Sequence, residues 1–213
     1  SDTHGTHTAG TVAADAQPIN GSTSNRGIAW AARIAHTTGF PFSTFNSVAT
    51  THHNVGARMH TNSWGDDGTT SYNTICNQID LFQWNNEDDL VFFAATNTSS
   101  LKNPENAKNQ LAVEASSNGF GANSKCSGGV GPTADGRRKP EVFAPGCNII
   151  SASTGTCSTS SLSGTSMACP AVAATGALVR QYFQEGFYPT GSKVPANGFD
   201  PTGALVKAVL VNT

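Results

Sequence analysis

Leu90-Val91-Phe92-Phe93-Ala94-Ala95 is a run of six apolar residues with no polar one between them. A strand with one wet face alternates apolar and polar side chains. An unbroken run needs cover on both faces, as at the centre of a parallel sheet. Parallel neighbours need crossover connections, which are usually helices. The rest of the chain supplies that alternation, so the expected class is α/β with a parallel sheet. Further strands are expected at residues 32–36, 55–61, 111–115, 141–144 and 149–152. Ile75, Ile79 and Phe82 recur at helical spacing, which predicts an amphipathic helix over 74–84. A small, apolar helix is expected over 8–14. Residues 167–183 are small or apolar nearly all round and predict a buried helix; Pro170 is tolerable there because it falls near the first turn. Asp200-Pro201 reads as N-cap and first helical residue of a last helix over 202–210. Residues 15–26 and 186–198 read as loops. There is no internal repeat and no domain boundary.

The 213 residues suit one domain, and a chain of this size buries about 70% of its unfolded surface. Charged residues are 12% of the chain, against about 25% in typical domains, so the surface must rely on Ser, Thr, Asn, Gln and Gly. A net charge of −2 with no Lys/Arg run argues against a nucleic-acid partner. No apolar run approaches the about 18 residues of a membrane span. No signal peptide is visible, but the first residues read as the interior of a longer protein, so that is silent on targeting. The five cysteines are Cys76, Cys126, Cys147, Cys157 and Cys169, and their spacing gives no zinc pattern. Cys147 and Cys157 bracket a short strand and turn, where a bridge is conceivable and would contribute roughly 3 kcal/mol. Cys169 reads as a buried free thiol. Asn20-Gly21-Ser22 and Asn97-Thr98-Ser99 are glycosylation sequons.

Three stretches carry chemistry. Gly164-Thr165-Ser166-Met167-Ala168 sets a serine at a helix start, where free N–H groups and the positive end of the dipole favour developing negative charge. A serine there also serves as a plain helix cap. His4-Gly5-Thr6-His7-Thr8-Ala9-Gly10 crowds two histidines at another helix start. A metal pair lacks further ligands at suitable spacing, whereas a neutral imidazole can take a hydroxyl proton. Ala94-Ala95-Thr96-Asn97 ends the most apolar strand, where parallel sheets place their ligand crevice. Asn97 there caps a turn or aims an N–H at an oxyanion. In subtilisin such a donor is worth about 10²–10³ in turnover, a magnitude taken from that enzyme.

Together with Ser63-Trp64-Gly65, these stretches make the chain resemble the subtilisin-like (subtilase) serine endopeptidases. Gly131-Pro132-Thr133, Asp135-Gly136-Arg137, Lys139-Pro140-Glu141-Val142 and Ala144-Pro145-Gly146 support the likeness, which covers nearly the whole chain. The resemblance implies a three-layer fold with a mostly parallel central sheet and helices on both faces. It implies His4 as general base, Ser166 as nucleophile, and Asn97 with the Ser166 N–H as oxyanion donors. Ser63, Trp64 and Gly65 would pair with a polypeptide substrate as an added strand. His7 would be structural, and Thr165 and Met167 would fix the turn of the serine.

The same resemblance places the triad aspartate on a strand well upstream of the histidine. Asp2 is too close to His4 for that role. The expectation is therefore a partial catalytic domain over 1–213, with the Asp-bearing strand and the C-terminal end absent. A sheet lacking a strand exposes unpaired groups. A histidine without its carboxylate loses about 10⁴ in turnover, as in the chymotrypsin-type Asp→Asn change, so the chain alone is expected to be impaired. Asn97 is expected to be buried and unglycosylated. No cofactor is expected. Calcium often accompanies the family, but Asp15 is the one acid in the loop after the His4 helix, and no calcium site is assigned. Low charge, the sequons and the resemblance favour the secretory pathway or the extracellular space, and a monomer is expected. The chief alternative is an inactive subtilase-like domain that only binds polypeptide. An α/β-hydrolase esterase is disfavoured because His4 precedes Ser166 and position 168 is Ala.

Overall fold

A computed structural model describes residues 2–39 and 41–212. Ser1 and Thr213, the bounds of the expected partial domain, lie outside the described residues. Along the chain run α1 (Thr3–Ala13), α2 (Gln17–Asn20), α3 (Phe45–Asn54), β1 (Met59–Asn62), α4 (Thr74–Asn85), β2 (Leu90–Ala94), β3 (Leu111–Ser116), β4 (Lys125–Ser127), β5 (Val142–Pro145), β6 (Ile149–Ala152), β7 (Thr159–Leu162), α5 (Thr165–Gln184) and α6 (Gly203–Val211). Strands β1, β2 and β3 pair in parallel in that order, and β5 joins β3 in parallel. β4 pairs antiparallel with the last residues of β3. β6 and β7 form a separate antiparallel hairpin. The result is the expected mostly parallel α/β sheet between helical layers.

Every residue of β2 and β3 is buried, and the alternation of side chains explains why neither face tolerates polarity. Leu90, Phe92, Leu111 and Val113 pack with Cys169, Val172 and Ala173 of α5 and with Val206 and Leu210 of α6. Val91 and Phe93 turn the other way, onto Phe45 and Ala49 of α3 and Ile75, Cys76, Ile79 and Phe82 of α4. Each such fully buried Leu or Phe contributes about 1.5–3 kcal/mol. The sheet therefore has α5 and α6 on one face, α3 and α4 on the other.

Several expected elements differ. Residues 32–36 form no strand; they run as coil along a cavity beside β1, with no ladder partner among the described residues. The 55–61 strand starts only at Met59, because Val55 and Gly56 make the turn that ends α3. α1 begins at Thr3, so both histidines lie on the helix itself. The 15–26 loop holds the single turn α2. The last helix is capped not by Asp200 but by Thr202, whose hydroxyl accepts from Leu205 N–H at 3.1 Å. Asp200 instead accepts from Arg180 and Gln184 of α5. α5 is buried over its first half, while Leu178 and Tyr182 face outward. α3, β4 and β7 were not expected at all: their sequences are polar, and tertiary pairing holds them. The conceivable Cys147–Cys157 bridge is not formed. Cys126 bonds Cys147, and Cys157 is an exposed free thiol.

Candidate active site

α1 and α5 bring their N-termini to the sheet end where β1 and β2 finish. Gly164, with φ 143°, is the N-cap of α5. A β-carbon there would be strained and 3.2 Å from Asn97 Oδ1, so only glycine fits. Gly164 has no side chain to cap with, and Ser166 is the second residue of α5 rather than its cap. The Ser166 side is half-buried, at the positive end of a helix of 20 residues.

Pro170 lies four residues after Ser166 and has no N–H, so the Ser166 carbonyl loses its helical partner. Ser63 supplies the replacement: its hydroxyl donates to Ser166 O at 3.0 Å. The proline that looked merely tolerable thus lets the loop after β1 lock onto the serine turn. The Trp64 ring stacks on Phe42 at 4.9 Å and meets Phe93 edge-on at 4.9 Å. These ring contacts anchor the loop after β1 to the core beneath it.

Asn97 follows β2. Its Oδ1 accepts from Thr165 N–H at 3.1 Å, from Ser127 Oγ at 2.9 Å and from Thr165 Oγ1 at 3.3 Å. The backbone donor fixes the carboxamide with oxygen inward, which leaves the Nδ2 hydrogens for another acceptor. Asn97 is exposed, contrary to the expectation that it is buried: the carboxamide is tethered on one side only.

His4 is half-buried on the first turn of α1 and lines a cavity of about 750 Å³ together with Asn62, Ser63 and Trp64. Asp2 is the N-cap of α1, accepting from the His4 and Gly5 N–H groups at 3.1 and 3.0 Å. These bonds hold its carboxyl below the usual range and occupy it with capping. His7 is fully buried and donates from Nε2 to the Ile149 carbonyl at 2.9 Å, tying α1 to the β6–β7 hairpin.

No local pattern singles out Ser127 or Glu114, yet Ser127 contacts Asn97 and Glu114 lies against Gly128, one residue further on. Glu114 of β3 is fully buried, and its Oε1 accepts from Ala115 N–H. Gly128 (φ 114°) meets it so closely that a β-carbon would fall 1.7 Å from that oxygen. Burial pushes the Glu114 carboxyl up to about 7, and burial also raises Glu105, whose Oε1 accepts from Thr96 and Lys102 N–H. Asp15, in the loop after α1, accepts from Arg26 Nε at 2.9 Å and from Gln17 N–H at 3.0 Å. Away from the crevice, Asp89 accepts from His53 and His60, and Arg58 pairs with Asp88. Among the described residues, the ligand atoms of His53, Asp88 and Asp89 lie close enough together to share a metal ion.

Solved structures define the class. Sphericase superposes with a TM-score of 0.72 at 19% identity, over 99% of this chain and 69% of that one. The patellamide maturation protease PatA gives 0.70 at 24% identity, over 97% and 70%. PatG macrocyclase, solved in complex with peptide, gives 0.69 at 19% identity, over 99% and 68%. Likeness at these identities establishes a subtilisin-like fold. The sequence matches the subtilase family over residues 1–213, and the chain belongs to that family of serine proteases. Two serine protease/ABC transporter B family proteins of Dictyostelium discoideum are similar: tagD, 43% identical over 109 residues, and tagB, 44% identical over 97. The matches span 44% and 38% of this chain but 6% and 5% of those proteins.

Proposed function

We propose that this chain carries the nucleophile, base and oxyanion site of a serine endopeptidase acting on polypeptides. Ser166 Oγ attacks the scissile carbonyl and passes its proton to His4. The tetrahedral oxyanion is met by Asn97 Nδ2 and the Ser166 N–H. Collapse returns the proton to the leaving amine and leaves an acyl-enzyme, which a water, deprotonated by the same imidazole, hydrolyses. The substrate main chain lies along Ser63–Gly65. The observation that carries this reading is the Asn97 carboxamide, held by Thr165 N–H with its donor side free beside the serine turn. Asn97 is unglycosylated in this reading, since a glycan on Nδ2 would remove a donor.

The carboxylate partner of His4 is proposed to come from an extended segment seated along the edge of β1 that has no strand partner among the described residues. Support comes from the cavity there and from the capping bonds that occupy Asp2. Without that segment the chain has little activity. Neighbours include PatG in complex with peptide, in keeping with a polypeptide substrate, and the Cys126–Cys147 bond is in keeping with an oxidising, secretory compartment. The occupied Asp2 also keeps alive a second reading, an inactive domain that only binds polypeptide. Labelling of the intact protein with a fluorophosphonate separates the two. Modification of Ser166, abolished by Ser166→Ala and by His4→Ala, is expected. An intact protein whose Ser166 stays unlabelled while it still binds peptide refutes the enzyme.

A further inference from the structure

We infer that Ser127 is a positioning residue for the oxyanion site, and that the Cys126–Cys147 disulfide is the brace that makes it one. The inference rests on the proposed role of Asn97. β4 is a three-residue strand, partly exposed, joined to β3 through Ala115↔Ser127 and Ser116↔Lys125 with an irregular register. So short a strand is poorly held by its ladder. Nevertheless, Ser127 Oγ donates the shortest of the hydrogen bonds that orient Asn97 Oδ1, at 2.9 Å. Its chain neighbour Cys126 is covalently tied to Cys147.

The other end of the cross-link serves the nucleophile. Cys147 follows Gly146, whose carbonyl accepts from Gly164 N–H at 2.7 Å. Asn148, on its other side, donates its N–H to Ser163 Oγ at 2.8 Å. Residues 163 and 164 lead directly into Thr165 and Ser166. One covalent bond therefore fastens the segment that orients the carboxamide to the segment that sets the serine turn. The physical stake is the rotation of the Asn97 side chain. Turned over, it would offer its carbonyl oxygen to a developing oxyanion, a repulsive contact in place of a donor, and displacements well under 1 Å already erode such a site. Dithiothreitol opens the cross-link by closing its own disulfide, while Cys126 and Cys147 take up two electrons and two protons.

The test uses the intact protein, kinetics on a peptide substrate and the rate of fluorophosphonate labelling. Labelling of the wild-type protein at Ser166 comes first; its absence would overthrow the enzyme reading itself. Given labelling, Ser127→Ala lowers kcat about tenfold with KM nearly unchanged, and Ser127→Thr, which keeps the hydroxyl, restores most of it. In an Asn97→Ala background Ser127→Ala costs less than about twofold, since its target is gone. Treatment with dithiothreitol lowers kcat by a similar factor while the far-ultraviolet circular dichroism is retained, and Cys157→Ser does not alter that response. A labelled enzyme in which Ser127→Ala leaves kcat intact, or costs the same factor with and without Asn97, overturns the inference. If reduction unfolds the protein, the Ser127 and Asn97 cycle decides alone.

Discussion

Glu114→Gln tests how far the buried carboxyl packed against Gly128 strains this fold. Glu114 is fully buried, and its Oε2 has no hydrogen-bond partner among the described residues. Burial is the leading cause that lifts its carboxyl from 4.5 to about 7; Lys125 acts in the opposite sense and Glu105 adds to the rise. The folded protein thus holds this proton more tightly than the unfolded chain does. The resulting stability is complete below the unfolded value of 4.5 and is lost as the pH rises through about 7. At about 1.4 kcal/mol per pH unit, the loss across that window is about 3 kcal/mol. For a chain of this size that is a fall of about 6–12 °C in Tm. The assay is thermal unfolding of wild type and Glu114→Gln at steps between pH 4.5 and 8. Glutamine cannot ionise, so the two proteins should diverge as the pH rises, with the variant the more stable by about 3 kcal/mol relative to its position at pH 4.5. Curves that stay parallel over the whole range would refute an ionisable, water-excluded carboxyl at this position.

Other consequences are open to direct measurement. Asn97→Ala should lower kcat by about 10²–10³ with a modest change in KM, the size found for an oxyanion donor in subtilisin; an unchanged kcat would place the oxyanion elsewhere. Ser63→Ala leaves the Ser166 carbonyl without the donor that replaces the missing Pro170 N–H, and should cost about 1 kcal/mol of stability in denaturant unfolding. Cys147→Ala opens the loop of 21 residues closed by the disulfide and should cost about 3 kcal/mol. Cys157→Ser should cost almost nothing, and the reverse pattern would restore the Cys147–Cys157 pairing that the spacing suggested.

The central strands and the long helices were legible because each is encoded by neighbours in sequence. The apolar run at 90–95 demanded cover on both faces, and the spacing of Ile75, Ile79 and Phe82 demanded a helix, whatever else the chain did. The serine at the head of α5 and the histidines on α1 were visible for the same reason: small residues around a helix start form a local signal. Residues 32–36 misled because an apolar pattern states only that a segment wishes to be covered. A strand also needs a partner's N–H and C=O groups, and no adjacent described strand supplies them. Cys147 chose Cys126 over the nearer Cys157 because β4 lies against the end of β3, a contact across the fold that spacing does not record. The orientation of Asn97 is set by Thr165, 68 residues away, and the Ser166 carbonyl is satisfied by Ser63, 103 residues before it. Sequence alone thus singled out which side chains are candidates for the proposed chemistry. Which atoms of those side chains are tied down, and which are left free to act, was decided by long-range hydrogen bonds that exist only after the sheet has assembled.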